Sequence, residues 1–293
     1  MNQLVPSDEA KDFLEHQETF DKNEGSIIDK SDQWYYGDQK YVTNSHLGQI
    51  LKGGPQTLKA YYEKGQKDTD TFIFGRAAHC LLLEPDAFNG RFYGIDDTEI
   101  CIEASGSDWK SQNKSPRSTK KYKEWLAKIV EENKHRQMLS LEDITAITDM
   151  VDKAMGYKQV RELVESANKR EVIYAKQMLG VNCKIKVDAI NTGNFILDYK
   201  TSKDPATLFN FGKSARTYKY PRQGSFYSDV AGVDSFWFLV QEKTYPYTVC
   251  LAELSPLTRE EGQKEYQLGL EMYKEHFIKN PKGIDSFLEM GSI

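Results

Sequence analysis

The 293-residue sequence predicts an α/β (α+β) fold in which helices flank a small mixed β-sheet and an N-terminal helical region precedes it. Three observations lead there. Residues 171–176, 183–190 and 195–200 read as successive strands, parted by Leu179-Gly180 and by Asn191-Thr-Gly-Asn194, both hairpin-like turn signals. Apolar residues at helical spacing lie on both sides of that block; Leu141, Ile144, Ile147, Val151 and Met155 share one broad face. Hydrophobic residues make up 39% of the chain and aromatic ones 12%, which supplies a core and excludes global disorder.

The elements follow in order. Residues 1–40 hold ten Asp and Glu against four Lys, a net of −6, and read as a partly ordered acidic leader. A single domain is expected over 41–293, mainly helical over 41–168, with the sheet and C-terminal helices over 169–293. Ser45 can cap a short helix through Leu51 that Gly53-Gly54-Pro55 stops, and a second short helix holds Leu58 to Tyr62. Residues 70–83 form an apolar helix ended by Glu84-Pro85. Residues 85–118 read as irregular, with Gly90, Gly94, Gly106 and Pro116 as breakers. A basic helix-like stretch follows, with nine Lys and Arg against three Glu over 110–136, a local +6. Helices are expected near 141–155, 157–168, 205–212, 221–232 and 257–279, and strands at 235–241 and 245–252.

Several classes drop out. No run of about 18 apolar residues exists to cross a membrane, and the first residues lack the basic and apolar regions of a secretory signal. Cys80, Cys101, Cys183 and Cys250 stand far apart, which argues against a zinc knuckle or disulfide scaffold and fits a reducing, cytoplasmic setting. No repeat, G-x-S-x-G or G-x-G-x-x-G stretch is present, and Gly212-Lys-Ser214 fails as a P-loop because Thr207 replaces the first glycine. The net charge of −5 argues at first against a nucleic-acid partner. It is an average over unlike parts: the leader accounts for all of it, and the 110–136 stretch predicts a local basic track.

The chemistry concentrates on the strand block. Asp198 and Lys200 stand two apart on the third strand and so share a face, and the hairpin brings Asp188 of the second strand close to both. Converging carboxylates suit a hard divalent cation such as Mg²⁺. A neighbouring lysine can position water or offset charge on a phosphate. Glu171 could complete the cluster. The D/E-x-K pattern by itself equally describes a surface ion pair, as Asp38-Gln-Lys40 and Asp108-Trp-Lys110 illustrate. Gln223 and Tyr227 share a helix face beyond Pro221, with Lys213, Arg216, Lys219 and Arg222 before them able to meet phosphates; an ordinary amphipathic helix reads the same way. His79 is either a satisfied core histidine or a metal donor.

Taken together, these pieces resemble the PD-(D/E)XK nuclease superfamily, and within it the phage and prophage exonucleases of the exodeoxyribonuclease VIII (RecE) type. Gly75-Arg-Ala-Ala-His79-Cys-Leu-Leu-Leu-Glu84-Pro85, Lys169-Arg-Glu171, Cys183-Lys-Ile-Lys-Val-Asp188, Ile196-Leu-Asp198-Tyr-Lys200-Thr201 and Gln223-Gly-Ser-Phe-Tyr227 occur in that family's order. The resemblance implies a restriction-endonuclease-like core and Mg²⁺-dependent hydrolysis of DNA, with Mn²⁺ able to substitute. It implies 5′→3′ digestion of one strand from double-stranded DNA ends. By the same resemblance Asp188 and Asp198 bind metal with the Tyr199 carbonyl as a further ligand, and Lys200 positions the attacking water. His79 and Glu171 serve a second metal or the water network, and Gln223 and Tyr227 orient the lysine or the phosphate. A trimeric or tetrameric ring and a single-strand annealing protein as partner are implied too. Val187 replaces the proline of the superfamily's name. Arg76 stands where a small residue is more usual, either contacting DNA phosphate or packing within its helix. The competing readings are a non-catalytic DNA-binding or assembly protein on the same fold, and a RecB-type nuclease of other polarity. The first would be expected to have lost an acid or Lys200, and none is missing.

Overall fold

A computed structural model describes residues 25–64 and 70–288. Its centre is a six-stranded sheet, ordered β1-β4-β5-β6-β7-β8, made of Ser26–Ile28 (β1), Lys169–Met178 (β4), Val181–Asn191 (β5), Phe195–Ser202 (β6), Ser235–Glu242 (β7) and Val249–Glu253 (β8). β6 and β7 are parallel and every other neighbouring pair is antiparallel, so the sheet is mixed as expected. The β4–β5 hairpin turns on Leu179 (φ 51°) and Gly180 (φ 79°). Two successive left-handed residues give the turn whose twist matches the flanking strands.

Helices cover both faces. One face packs Ile185, Val187, Ile196 and Phe238 against Asn44–Lys64 (α2), Tyr220–Ala231 (α10) and Pro256–Tyr273 (α11), through Leu47, Phe226, Val230 and Leu270. The other packs Ala189, Leu197, Tyr199 and Leu239 against Asp70–Leu83 (α3), Leu141–Met155 (α7) and Lys158–Ser166 (α8), through Ala78, Leu82, Ile147 and Val160. Gly262 lets α11 approach closely, because a Cβ there would lie 2.2 Å from the Pro221 carbonyl oxygen at the start of α10.

Other elements depart from expectation. α2 keeps the expected division into two helices, since Gly53 and Gly54 leave helical geometry and kink the span there, but Thr43 rather than Ser45 offers its hydroxyl, to the His46 N–H. Residues 85–118 are not irregular: they contain Pro85–Arg91 (α4), Phe92–Ile95 (β2) and Thr98–Ser105 (α5). β2 pairs in parallel with Gln137–Ser140 (β3), and the chain between them carries Lys120–Glu132 (α6) with its own small apolar cluster of Ile100, Cys101 and Tyr122. The basic track is partly neutralised there: Lys114, Arg117, Lys120, Lys121 and Lys134 each pair with a carboxylate, and three of those partners, Asp97, Glu103 and Asp108, lie outside 110–136 and lower its local charge from +6 to +3. The helix expected at 205–212 is Leu208–Tyr218 (α9), and the last helix passes into a π-helical stretch at Lys274.

Part of the acidic leader is structured. β1 pairs with the edge of β4, and Asp32–Gly37 (α1) follows it. The anchor is Lys184, which has no solvent exposure. Its ammonium donates to the Asp38 carbonyl at 2.7 Å and lies 4.4 Å from the Trp34 ring centre, a cation–π contact that offsets desolvation. The rest of the leader, residues 1–24, lies outside the described residues. All four cysteines are free and buried.

Candidate active site

The site forms where the sheet splits. β5 and β6 pair from Asn191–Phe195 to Ala189–Leu197, and that register would next set Asp188 opposite Asp198. Instead the strands part, and Asp188 Oδ2 accepts the Tyr199 N–H at 2.9 Å, taking the place of a ladder carbonyl. The β4–β5 ladder lapses at the same level: Arg170 pairs with Ala189 and Val172 with Val187, while Glu171 between them has φ 52°. A left-handed backbone at a non-glycine residue costs about 1–2 kcal/mol and persists where the surroundings over-determine it.

Two layers supply the partners. From α3, His79 Nδ1 lies 3.3 Å from Asp188 Oδ2, and the imidazole packs 5.0 Å from the Tyr199 ring. Ligand atoms of His79, Glu171 and Asp188 all lie within 4.8 Å of one another. From the opposite layer, Gln223 on α10 donates to Asp198 Oδ1 at 2.7 Å. Lys200 Nζ stands 2.7 Å from Asp198 Oδ2 and 5.1 Å from the centre of the Tyr220 ring. The two aspartates converge on Lys200, whose ammonium feels both charges, but take their partners from different layers. Asp188 meets His79 of α3 and Asp198 meets Gln223 of α10, and Asp198 is not in the three-residue group with His79.

Burial sets the electrostatics. Burial pushes the Glu171 and Asp188 carboxyls up, with the Asp188 charge adding to the effect on Glu171. Asp198, only 2% exposed, is pushed up to about 6 by burial, against the pull of Lys200. Burial also lowers His79, which favours the neutral imidazole a metal needs. For Lys200 burial favours the neutral amine, but Asp198 and Asp188 together outweigh it, so its pKa is raised and it stays an ammonium.

The donor set fits a divalent cation. Asp198 Oδ2 is buried without an aligned hydrogen-bond donor despite its closeness to Lys200. Carboxylates crowded in this way, beside one imidazole, are the oxygen-rich surroundings that Mg²⁺ or Mn²⁺ takes.

The remaining expected residues divide. Tyr227 lies 9% exposed under the carboxylates, its hydroxyl hydrogen-bonded to that of Tyr35 from α1. The Tyr199 ring is buried and donates to Gln241 Oε1 at 2.7 Å, while its main chain meets Asp188 and His79. Arg76 lines the cleft, with Nε and Nη2 each 3.4 Å from Gln137 Oε1. Lys213, Arg216 and Lys219 are exposed on α9 and at its end, outside the lining of the cleft. Arg222 is a correction. It is 6% exposed and donates to Asn44 Oδ1 and Glu265 Oε1, because its place in the first turn of α10 points it at α2 and α11. A phosphate does not reach it there.

Three residues escaped the sequence reading. Lys186 Nζ bridges Glu171 Oε2 at 2.8 Å and Asp32 Oδ1 at 2.7 Å. Asp32 and Tyr35 come from the leader. The one signal was that Lys186 stands two residues before Asp188 on an alternating strand. All three line the same cleft, of about 1530 Å³, with His79, Glu171, Asp188 and Lys200.

Comparison with known proteins agrees with this architecture. A crystal structure named "Putative exonuclease", from Eubacterium rectale, superposes with a TM-score of 0.52 at 14% identity, covering 90% of this chain and 89% of that one. No curated protein matches the chain. The family model described as a PDDEXK-like domain of unknown function (DUF3799) matches residues 44–279, which takes in every residue of the split-sheet site except those of the leader, and the chain belongs to that family.

Proposed function

We propose that this chain is a divalent-metal-dependent nuclease of DNA, using Mg²⁺ with Mn²⁺ able to substitute. We read it as an exonuclease that digests one strand of linear duplex from its ends, 5′→3′, for recombination by strand annealing. The observation that carries the nuclease reading is the convergence of His79, Glu171 and Asp188 beside the Asp198–Lys200 pair. The cleft volume exceeds the roughly 300–1,000 Å³ usual for a small-molecule pocket, which suits a polymer.

A bound cation supplies Lewis-acid polarisation at phosphorus and a lowered pKa for water. His79, Glu171 and Asp188 would hold it, with Asp198 and the Tyr199 carbonyl as further oxygen donors. Lys200 is an ammonium, so it orients water and offsets phosphate charge rather than abstracting a proton. Gln223 holds Asp198 through Oδ1, and Tyr227 fixes the wall beneath. Arg76 meets a strand phosphate in the cleft. End selection, polarity, a ring of three or four copies, an annealing partner and a cytoplasmic setting rest on the family resemblance.

The test incubates purified protein with Mg²⁺ and linear or circular duplex, beside Asp198→Ala of unchanged melting temperature. Nucleotide release from the linear form alone, lost in the variant, is expected. No release by the wild type, or equal release by the variant, refutes the nuclease reading. Cleavage of the circle refutes the exonuclease one.

A further inference from the structure

One part of the cleft is not used by the chemistry above. β6 and β7 run parallel with Ser202 opposite Glu242, and the Lys243 N–H donates to the Ser202 carbonyl at 2.9 Å just beyond. The next residues in that register are Lys203 and Lys243, and both line the cleft. Like charges directly opposite on neighbouring strands destabilise a sheet. Here the repulsion is not quenched: among the described residues no carboxylate pairs with either lysine. Asp204 also lines the cleft but makes no ion pair with them, and Glu242 is occupied by Thr244 and Thr248. Lys243 is only partly exposed, its ammonium 5.2 Å from the Phe74 ring centre on α3, and burial and Lys203 together lower its pKa.

From this juxtaposition we infer that Lys203 and Lys243 form a phosphate-binding subsite for the nucleic-acid strand, distinct from the Arg76 position and from the metal cluster. A phosphate between the two ammonium groups turns their repulsion into attraction and desolvates a cation already half-buried. Lys203 follows the strand that carries Lys200, three residues on and so about 10 Å along it, and Lys243 stands beside it just past the end of β7. That sets the subsite away from the scissile position, where it holds the strand rather than reacts with it. The inference rests on the nuclease reading and names how the same cleft grips its substrate.

The experiment measures fluorescence anisotropy of a labelled single-stranded oligonucleotide on the full chain, with Ca²⁺ in place of Mg²⁺, across a salt series. The Lys203→Ala/Lys243→Ala double variant is expected to bind about tenfold more weakly at 0.1 M salt. Its dependence of log affinity on log salt should be shallower by about 0.7 for each phosphate that the variant no longer neutralises. Lys203→Arg/Lys243→Arg should restore both, and Lys123→Ala/Lys128→Ala on exposed α6 should change neither. Without DNA, Lys243→Met should melt about 1–2 °C higher at low salt, because the repulsion is gone. Oligonucleotides with a 5′-phosphate or a 5′-hydroxyl identify the phosphate bound. A penalty confined to the former places a terminal monoester there, and an equal penalty places an internal diester. A double variant with wild-type affinity and salt slope overturns the inference, and wild-type cleavage in the same preparation shows that the nuclease reading survives it. A wild type that neither binds nor cleaves removes both.

Discussion

Replacing Lys186 by methionine removes the cation that bridges Glu171 and Asp32, with a side chain of similar reach. The two arms are unequal. Asp32 is 65% exposed and its ion pair is worth little, whereas the Glu171 side chain is 23% exposed and faces the Asp188 charge. Breaking a buried pair typically costs about 3–5 kcal/mol because the partner is left charged. The protein has an escape, which is to protonate Glu171, and this sets a ceiling that depends on pH. From its ordinary value of 4.5, keeping the carboxyl neutral costs about 5 kcal/mol at pH 8 but under about 1 kcal/mol at pH 5. The sign follows: the variant's penalty is present at high pH and vanishes as pH falls towards the unfolded value. Urea denaturation of wild type and Lys186→Met at pH 8 and pH 5 measures it directly. A loss of about 3–5 kcal/mol at pH 8 should shrink to about 1 or less at pH 5, and millimolar Mn²⁺ at pH 8 should recover much of it. Equal losses at the two pH values, or an Asp32→Asn variant as damaged as Lys186→Met, would refute the reasoning.

Three further outcomes are expected. Gln223→Ala leaves Asp198 Oδ1 without its donor and should lower cleavage about 10- to 100-fold, the scale on which removing a group that orients a metal ligand acts, read as initial rate on linear DNA. His46 is buried and held at about 4 against an ordinary 6.5, so it stabilises the fold above pH 6.5 and loses that contribution as pH falls towards 4. Wild type should lose about 2 kcal/mol at pH 5 relative to His46→Gln, measured by denaturation of both from pH 7 to 5. Arg222→Ala should destabilise by about 1–3 kcal/mol, since Asn44 Oδ1 loses its charged donor in a part-buried contact and Glu265 keeps only Lys219, at 3.6 Å, among the described residues, yet leave the salt slope of DNA binding unchanged, unlike the removal of a phosphate-binding cation.

How far the sequence carries depends on the range of the interactions involved. The 179–180 and 191–194 turns are legible because the turn conformation is chosen by the local residues, and α3 because one apolar run decides it. Pro85–Arg91 and Phe92–Ile95 are short, and the strand exists only because Gln137–Ser140 lies beside it, so local breakers dominated the reading. The motif acids were found, but not their disposition. The lapse of both ladders around Glu171 and Asp188 depends on an unusual backbone angle, and no residue there is a glycine to announce it. Arg222 failed as a phosphate ligand for a similar reason: its partner Glu265 is remote in sequence, and basic character alone does not say which way a side chain is turned. The basic track of 110–136 had the right charges and lacked their partners.

The pairing of Ser26–Ile28 with β4 also orders events in time. β1 is synthesised first, yet its partner Ala175 follows roughly 150 residues later, and Lys184, which clamps the segment after β1, comes later still. A chain emerging from the ribosome therefore holds its N-terminal segment unpaired until the central hairpin has formed. Asp32 and Tyr35 reach the carboxylates only at that step, so the cleft gains this wall after the sheet is built. A nascent or truncated chain would carry the metal-binding motifs with the β4 edge still open to pair with another molecule.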